Sequence, residues 1–95
     1  MTDKYWAEEK DPADVDYWDI EVDDTWLDTD TITNAQAVVV EGPGNLNIGN
    51  VGSDSNLVRI QLSDGNVGTH GIKVTITTNT GRIKEQTFYL VVKEK

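Results

Sequence analysis

The last quarter of the chain constrains the fold more than any other stretch, because it predicts two β-strands joined by a short turn. Apolar residues occupy every second position in residues 72–77 and again in residues 88–93, which is the period of a strand with one buried face. Between them, residues 78–82 read Thr-Asn-Thr-Gly-Arg, in which the Asn and Gly favour a tight hairpin turn. An isolated hairpin is at best marginally stable in water, so the remaining chain must cover its apolar face. That face consists of Ile72, Val74, Ile76, Phe88, Leu90 and Val92.

One apolar residue of the second strand, Ile83, is out of phase with this buried face. Two arrangements explain the phase. Either Ile83 lies near the exposed tip of the hairpin, or a bulge between Arg82 and Thr87 resets the register.

Four further strands are predicted upstream of the hairpin. Residues 15–22 alternate between apolar and acidic or polar positions, and residues 31–40 form a second strand that Gly-Pro-Gly at 42–44 must end. A short third strand is predicted at residues 46–48 and a fourth at residues 57–62. About six to seven short strands, with turn residues roughly every ten positions, predict an all-β fold with a single antiparallel sandwich.

Two segments between these strands are predicted to be loops. Residues 23–30 are rich in aspartate, and within them Trp26 and Leu27 are expected to tuck under the core. Residues 49–55 contain mainly Gly, Asn, Ser and Asp, which are typical of turns. No segment shows a helical period over ten or more residues.

The N-terminal residues 1–13 lack strand alternation and are predicted to be an extended arm, with residues 14–95 forming the sandwich domain. The arm carries adjacent aromatic residues, Tyr5 and Trp6, which are unusual in a disordered tail. The alternatives are a frayed terminus, an arm pinned on its own domain, and an arm reserved for a neighbouring subunit. We predict the third, because aromatic side chains are common anchors of interfaces.

The net charge of −9 is concentrated in the first third of the chain. Residues 1–30 contain twelve acidic and two basic residues, whereas residues 31–95 are nearly balanced. Nucleic acid is therefore not expected as a partner, since phosphate binding needs a basic face. The acidity either keeps the protein soluble or docks the acidic third against a basic partner.

The chain contains no cysteine, which excludes disulfides and thiolate metal sites. No N-terminal signal peptide is visible, and no apolar run is long enough to cross a membrane. We therefore expect a soluble protein made in the cytoplasm, with an already removed signal peptide as the open alternative.

Catalytic and metal-binding patterns are not found, and we predict neither an enzyme nor a cofactor. The single histidine, His70, is expected to be a polar residue at a turn, and no serine lies in a nucleophile-elbow pattern. The abundant carboxylates are uninformative because catalysis would need a pocket and a raised pKa. Calcium binding by residues 23–30 is the more credible use of these acids, but solvated surface acids are commoner.

Short motifs form a recognisable series along the chain. They are Lys10-Asp11-Pro12, Asp14-Val15, Asp16-Tyr17, Asp30-Thr31-Ile32, Ile76-Thr77-Thr78, Gly81-Arg82 and Phe88-x-Leu90-x-Val92. The series resembles small structural proteins of tailed bacteriophages, described as fibre–tail adaptor proteins, over most of residues 10–93. The resemblance implies an immunoglobulin-like sandwich that is a component of the virion, and it supplies no catalytic residues.

From the resemblance we predict an adaptor that joins tail and fibre, or neighbouring tail components, by protein–protein contacts. Its expected partners are other virion tail or fibre proteins, in multiple copies and without nucleic acid or membrane. The expected location is the virion, assembled in the bacterial cytoplasm, whose reducing conditions suit a chain without cysteine. The alternative is a carbohydrate- or surface-binding module of a larger protein, using Tyr17, Trp18 and Trp26. The predicted partner-binding residues are Tyr5, Trp6, Lys10, Asp11 and Pro12.

Overall fold

A computed structural model describes residues 4–95, in which seven strands form two β-sheets packed face to face. In chain order the elements are β1 Lys4–Tyr5, β2 Asp16–Glu21, α1 Asp24–Leu27, β3 Ile32–Glu41, β4 Leu46–Asp54, β5 Leu57–Asp64, β6 Gly68–Thr78 and β7 Ile83–Val92. The four-stranded sheet has the order β1-β7-β6-β3, and the three-stranded sheet has the order β2-β5-β4. All neighbours are antiparallel except β1 and β7, which are parallel. Within residues 4–95, no helix is both long and apolar enough to span a membrane.

The core lies between the sheets and consists of the alternating residues that the sequence pattern assigns to buried faces. On β2 and β5 the buried side chains are at every second position, and the intervening acidic or polar residues are exposed or half-buried. The central members of the core are Trp18, Ile20, Val58, Ile60, Leu62, Ile72, Val74, Ile76, Leu90 and Val92. Burial of this apolar surface drives the two sheets together.

The C-terminal hairpin has the predicted turn, and its register explains Ile83. The Thr78 N–H donates to the carbonyl of Arg82 at 2.9 Å, and Gly81 closes the turn with a φ of 88°. Ile83 pairs with Thr77, and pairing continues along the hairpin without a register shift. Ile83 therefore lies at the tip on the outer face, where it is 65% exposed, and no bulge is present between β6 and β7.

The prediction of a loop at residues 49–55 is wrong, because β4 continues through most of this segment to Asp54. The Gly- and Asn-rich sequence pairs with β5 as far as Asp54 opposite Leu57, and the register shifts once between Ile48 and Val51. The two-residue turn begins at Ser55, which has a φ of 54°. The Gly and Asn residues of β4 favour strands only weakly, and they adopt a strand because they pair with β5.

The predicted loop at residues 23–30 also differs, since it contains the single-turn helix α1. The carboxylate of Asp23 accepts a hydrogen bond from the Thr25 N–H, which is the interaction of a helix N-cap. Leu27 is buried as expected, whereas Trp26 is half-buried. One turn of helix is too short to produce the periodicity by which helices are recognised in sequence.

Candidate functional site

The N-terminal segment lies on its own domain rather than extending from it. β1 pairs in parallel with β7, with Lys4 opposite Phe88 and Tyr5 opposite Tyr89. The rings of Tyr5 and Tyr89 stack on the outer face of the four-stranded sheet, with centroids 5.2 Å apart. Tyr5 is still 59% exposed, so its ring remains accessible at the surface.

Trp6 connects the two sheets, because it contacts β7 of one sheet and β2 of the other. Its ring stacks on Phe88 of β7 with a centroid distance of 5.3 Å, and its backbone N–H donates to the carbonyl of Tyr89 at 3.0 Å. Its indole N–H donates to the carbonyl of Asp19 on β2 at 3.1 Å. The segment after Trp6 also accepts a hydrogen bond from β2, because the Trp18 indole donates to the carbonyl of Glu8 at 3.2 Å.

Lys10 is completely buried and holds three chain segments together. Its Nζ donates to the carbonyls of Asp11, Pro12 and Asp64, at 2.8, 3.3 and 2.6 Å. Its backbone bridges the end of β7, accepting from Lys93 and donating to Val91. Burial lowers the pKa of Lys10, and the nearby carboxylates of Asp14, Asp64 and Asp11 oppose that shift.

Asp11 and Pro12 form a turn that ties the N-terminal segment to the C-terminal residues. The Asp11 carboxylate accepts from the Ala13 N–H at 2.8 Å and from the Lys95 N–H at 2.9 Å. These backbone hydrogen bonds lower the pKa of Asp11. The Lys95 Nζ also donates to the carbonyl of Glu9 at 2.9 Å. The two ends of the described chain are therefore fastened to each other.

These contacts correct the expectation that the arm docks onto a neighbour instead of its own sandwich. For residues 4–13 the structure contradicts the part that keeps the arm off its own sandwich, because Trp6 contacts both sheets and Lys10 contacts Asp64 and the end of β7. Docking onto a neighbour stays a prediction. Residues 1–3 of the predicted arm lie outside the described residues. Partner binding by Tyr5, Trp6, Lys10, Asp11 and Pro12 stays a prediction. Lys10 has no exposed surface through which a partner could reach it.

The aspartate-rich segment 23–30 uses two of its carboxylates within the fold. Asp23 caps α1, and Asp30 accepts from the hydroxyl of Thr80 at 2.6 Å and from Nε of Arg82 at 2.9 Å. Arg82 also donates to the carbonyls of Trp26 and Leu27, which ties α1 to the hairpin turn. In the part of the chain that the structure describes, no group of three or more His, Cys, Asp or Glu side chains is arranged to hold a metal ion.

The Asp30 contacts predict acid sensitivity. The hydroxyl of Thr80 and the guanidinium of Arg82 lower the pKa of Asp30 below its usual value of about 3.9. A carboxyl group with a lowered pKa in the folded state stabilises the fold, and the whole of this contribution is present when the pH is above the pKa of the unfolded state. The contribution is lost as the pH falls through the pKa of the folded state. Asp30→Asn should therefore reduce the loss of melting temperature on going below about pH 4.

The matched control for this prediction is Asp28→Asn, since the exposed Asp28 side chain makes no hydrogen bond among residues 4–95. Thermal melting of both variants across the acid range is the measurement. Equal pH dependence of Asp30→Asn and the unmodified protein would contradict the assigned role of Asp30.

His70 is not a turn residue but a fully buried member of β6, which corrects the expectation from sequence. Its Nε2 lies 2.8 Å from the carbonyl of Asn66, which fits an Nε2–H donor. Its Nδ1 has no hydrogen-bond partner among the described residues. A Cβ at Gly42 would lie 2.8 Å from Nδ1, so glycine is needed for this close approach. His70 is therefore enclosed by the fold.

The aromatic residues considered for sugar binding are engaged elsewhere. Trp18 is 5% exposed and belongs to the core. The guanidinium carbon of Arg82 and the Nζ of Lys84 lie 4.6 and 5.1 Å from the Trp26 ring centroid. Arg59 lies over the Tyr17 ring at 5.4 Å and also forms a bidentate ion pair with Asp19. This ion pair lowers the pKa of Asp19. Such cation–π contacts compete with a sugar for the same ring faces.

The two lateral sides of the sandwich have different chemistry. On one side β2 carries acidic residues at three of its six positions, namely Asp16, Asp19 and Glu21, and Trp6 covers part of its edge. On the opposite side the first nine residues of β3, Ile32 to Val40, carry no charge. An open cleft of about 680 Å³ runs along β3, and it is lined by residues of β3 and β4 and by Lys73, Thr75 and Glu85 of β6 and β7.

Sequence reasoning missed both the buried lysine and this uncharged edge. Lysine is rarely buried without a partner, and the carbonyl of Asp64 is far away in sequence, so no local signal marks Lys10. The sequence does mark this strand, because residues 32–40 carry no charge. That the strand lies at the edge of a sheet follows only from the strand order.

Comparisons with known proteins agree with this architecture. The chain is similar in structure to the PKD domain from the KIAA 1837 protein, determined in solution, with a TM-score of 0.60 and 18% sequence identity over 100% of this chain and 90% of that chain. The fold is accordingly an immunoglobulin-like sandwich. Residues 10–91 match the family described as podophage GP4 fiber-tail adaptor protein gp77, and the chain belongs to this family. No curated protein matches the chain.

Proposed function

We propose that this chain is a virion adaptor that joins tail and fibre proteins through protein–protein contacts. The family match over residues 10–91 is the observation that carries the proposal, since it includes β2 to β6, β7 up to Val91, and the buried Lys10. It also supports a location in the virion, where several copies would be arranged with the tail. Assembly in the bacterial cytoplasm is part of the same proposal.

The sandwich geometry suits a part that connects two others. An adaptor needs two separate contact surfaces, and the acidic side at β2 and the uncharged side at β3 face in opposite lateral directions. Two contacts hold the arm against the sandwich: the hydrogen bond of Lys10 to Asp64, and that of the Lys95 N–H to the Asp11 carboxylate. They would keep the arm in place while partners bind on either side. We assign the acidic side to a basic partner surface, because opposite charge speeds encounter and fixes orientation.

The alternative of a carbohydrate-binding module has less support. Sugar binding needs accessible aromatic faces, whereas Trp18 is buried and Trp26 is covered by two cationic side chains. Among residues 4–95 no set of side chains favours an enzymatic role, and the buried His70 lies among packed glycines and a backbone carbonyl.

Reconstitution with purified phage parts tests the proposal. We expect tails and fibres prepared without this protein to stay separate, and addition of the purified chain to join them. The rate of joining should fall as salt rises, because the acidic side contributes long-range attraction. Joining of tails and fibres without the chain, or failure of the chain to bind either part, would contradict the proposed function.

A further inference from the structure

A small cavity lies on the acidic side of the sandwich, between the N-terminal segment and β2. Its volume is about 180 Å³. Six residues line it: Trp6, Ala7, Glu8, Tyr17, Trp18 and Asp19. Typical small-molecule sites have volumes of roughly 300–1,000 Å³, so this cavity has room for one side chain rather than for a whole ligand.

Hydrogen bonds between the two segments hold the walls of this cavity in place. The Trp6 indole N–H donates to the carbonyl of Asp19 at 3.1 Å, and the Trp18 indole N–H donates to the carbonyl of Glu8 at 3.2 Å. The Trp6 ring is also stacked on Phe88, with centroids 5.3 Å apart. The cavity is therefore formed before anything binds in it, and binding needs little further ordering of the chain.

The lining of the cavity combines aromatic residues with acidic ones and contains no basic side chain. Three of its six residues, Trp6, Tyr17 and Trp18, are aromatic, and the faces of aromatic rings attract cations. Two others, Glu8 and Asp19, carry negative charge. The exposed side chain of Glu8 makes no hydrogen bond among residues 4–95, so its carboxylate is available to pair with a cation. This combination is the chemistry of a site for an organic cation.

Arg59 contacts two of the lining residues and shows which cation they accommodate. Its guanidinium carbon lies 5.4 Å from the centroid of the Tyr17 ring, and its nitrogens pair with the two Asp19 carboxylate oxygens at 2.8 and 3.0 Å. Arg59 does not line the cavity, so this contact leaves the cavity open. A planar guanidinium can stack on a ring and pair with a carboxylate, whereas an ammonium is a compact, strongly hydrated charge. The lining therefore favours arginine over lysine.

The charge around the cavity favours the same occupant. All six lining residues lie within residues 1–30, which contain twelve acidic and two basic residues. One of the two basic residues, Lys10, is fully buried. The surface of this part of the chain is therefore negative, and opposite charge speeds the approach of a basic partner and orients it.

We propose that this cavity binds an arginine side chain of a tail or fibre protein. The inference rests on the proposed adaptor function, and it gives the acidic side a defined anchoring point. The guanidinium of the partner lies against the aromatic lining and pairs with the carboxylate of Glu8, while Asp19 stays paired with Arg59. Arginine is among the residues that most often dominate the binding energy of an interface.

Binding of chain variants to purified tails and to purified fibres tests the role of the cavity. Glu8→Gln should weaken binding to one of the two parts by about tenfold, as for the loss of a hydrogen bond between charged groups. The matched control is Glu9→Gln, which removes the same charge from an exposed neighbour that does not line the cavity, and it should bind almost as tightly as the unmodified chain.

A second pair of variants tests the space in the cavity instead of its charge. Ala7→Leu places a larger side chain in the lining and should weaken binding to the same part as Glu8→Gln does. Its control, Ala13→Leu, enlarges an exposed alanine outside the cavity and should bind normally. Melting temperatures of all four variants should stay close to that of the unmodified chain, because each changes an exposed side chain.

Titration of the free chain with butylguanidinium chloride tests the cavity without any phage part. NMR signals of the indole N–H groups of Trp6 and Trp18 should shift in a saturable way, whereas that of Trp26, which does not line the cavity, should stay unchanged. Butylurea, which is similar in shape but uncharged, should cause no shift, and butylammonium should bind more weakly than butylguanidinium. The shifts caused by butylguanidinium should be lost in Glu8→Gln.

The outcomes separate this inference from the adaptor function. Equal shifts with butylurea and butylguanidinium, or no shift with either, would overturn the cavity as a cation site and leave the adaptor function untouched. Tighter binding of butylammonium would overturn the assignment to arginine. Equal binding of Glu8→Gln and Glu9→Gln to tails and to fibres would overturn the cavity as a contact. Failure of the unmodified chain to bind either part would contradict the proposed function and this inference together.

Discussion

Lys10→Met is expected to lower the free energy of unfolding by about 3 kcal/mol, and hence the melting temperature by roughly 10 to 20 °C. Methionine keeps much of the aliphatic volume of lysine but cannot donate a hydrogen bond. The carbonyls of Asp11, Pro12 and Asp64 would then lose the ammonium group on which they converge. A buried carbonyl that loses its hydrogen-bond partner destabilises the fold by more than the hydrogen bond itself contributes to stability. Lys10→Met should therefore destabilise the fold more than the removal of an exposed lysine.

Lys93→Met is the matched control for this substitution. Lys93 is exposed and adjoins the same site, but only its backbone N–H contacts Lys10. The control should change stability by less than about 0.5 kcal/mol, as is usual for surface positions. Denaturant unfolding of both variants gives the comparison, and equal stability of the two would contradict the central role of Lys10.

Trp6→Ala is expected to destabilise the isolated domain by about 2 kcal/mol, because a half-buried aromatic ring and its contacts are removed. The substitution removes the stack on Phe88 and the indole hydrogen bond to Asp19, which are the contacts that join β7 to β2. An arm that docked only on a neighbour would give the opposite result, because loss of the ring would leave the free energy of unfolding of the isolated domain unchanged.

Tyr5→Ala is the appropriate comparison for Trp6→Ala, since Tyr5 also stacks on β7 but is 59% exposed. Its cost should be below about 1 kcal/mol, the range of a single exposed aromatic pair. Urea unfolding of both variants measures the difference. If Trp6→Ala unfolds at the same urea concentration as the unmodified protein, the ring does not contribute to the fold and is available to a partner.

The fold class and the buried faces could be predicted because they depend on local alternation. Each of β2, β5, β6 and β7 carries apolar residues at the period of its own pleat, and burial of one face follows from that pattern. The hairpin turn was equally accessible, since Gly81 adopts the positive φ that the turn requires. These features need no knowledge of distant parts of the chain.

Features that depend on distant contacts could not be predicted. β4 continues beyond Ile48 because β5 pairs with it, although its own residues favour a turn. The position of the arm depends on Trp6 meeting Phe88 and Asp19, and that of Lys10 on meeting Asp64. β1 consists of Lys4 and Tyr5 alone, which is too short for a strand period to be recognised in the sequence.

Partner binding by the predicted residues stays a prediction, and the structure shows how accessible each of them is. Tyr5, Asp11 and Pro12 lie at the surface or close to it, where contact with a partner is possible, whereas Lys10 is enclosed. The uncharged stretch of β3 is visible in the sequence, but its importance follows from the strand order, which places it at an edge beside small residues.

Imaging of intact virions by electron cryo-microscopy tests the central claim most directly. The account predicts an immunoglobulin-like sandwich at the junction of tail and fibre, in contact with both. Absence of the chain from purified virions, or its location away from this junction, would contradict the account.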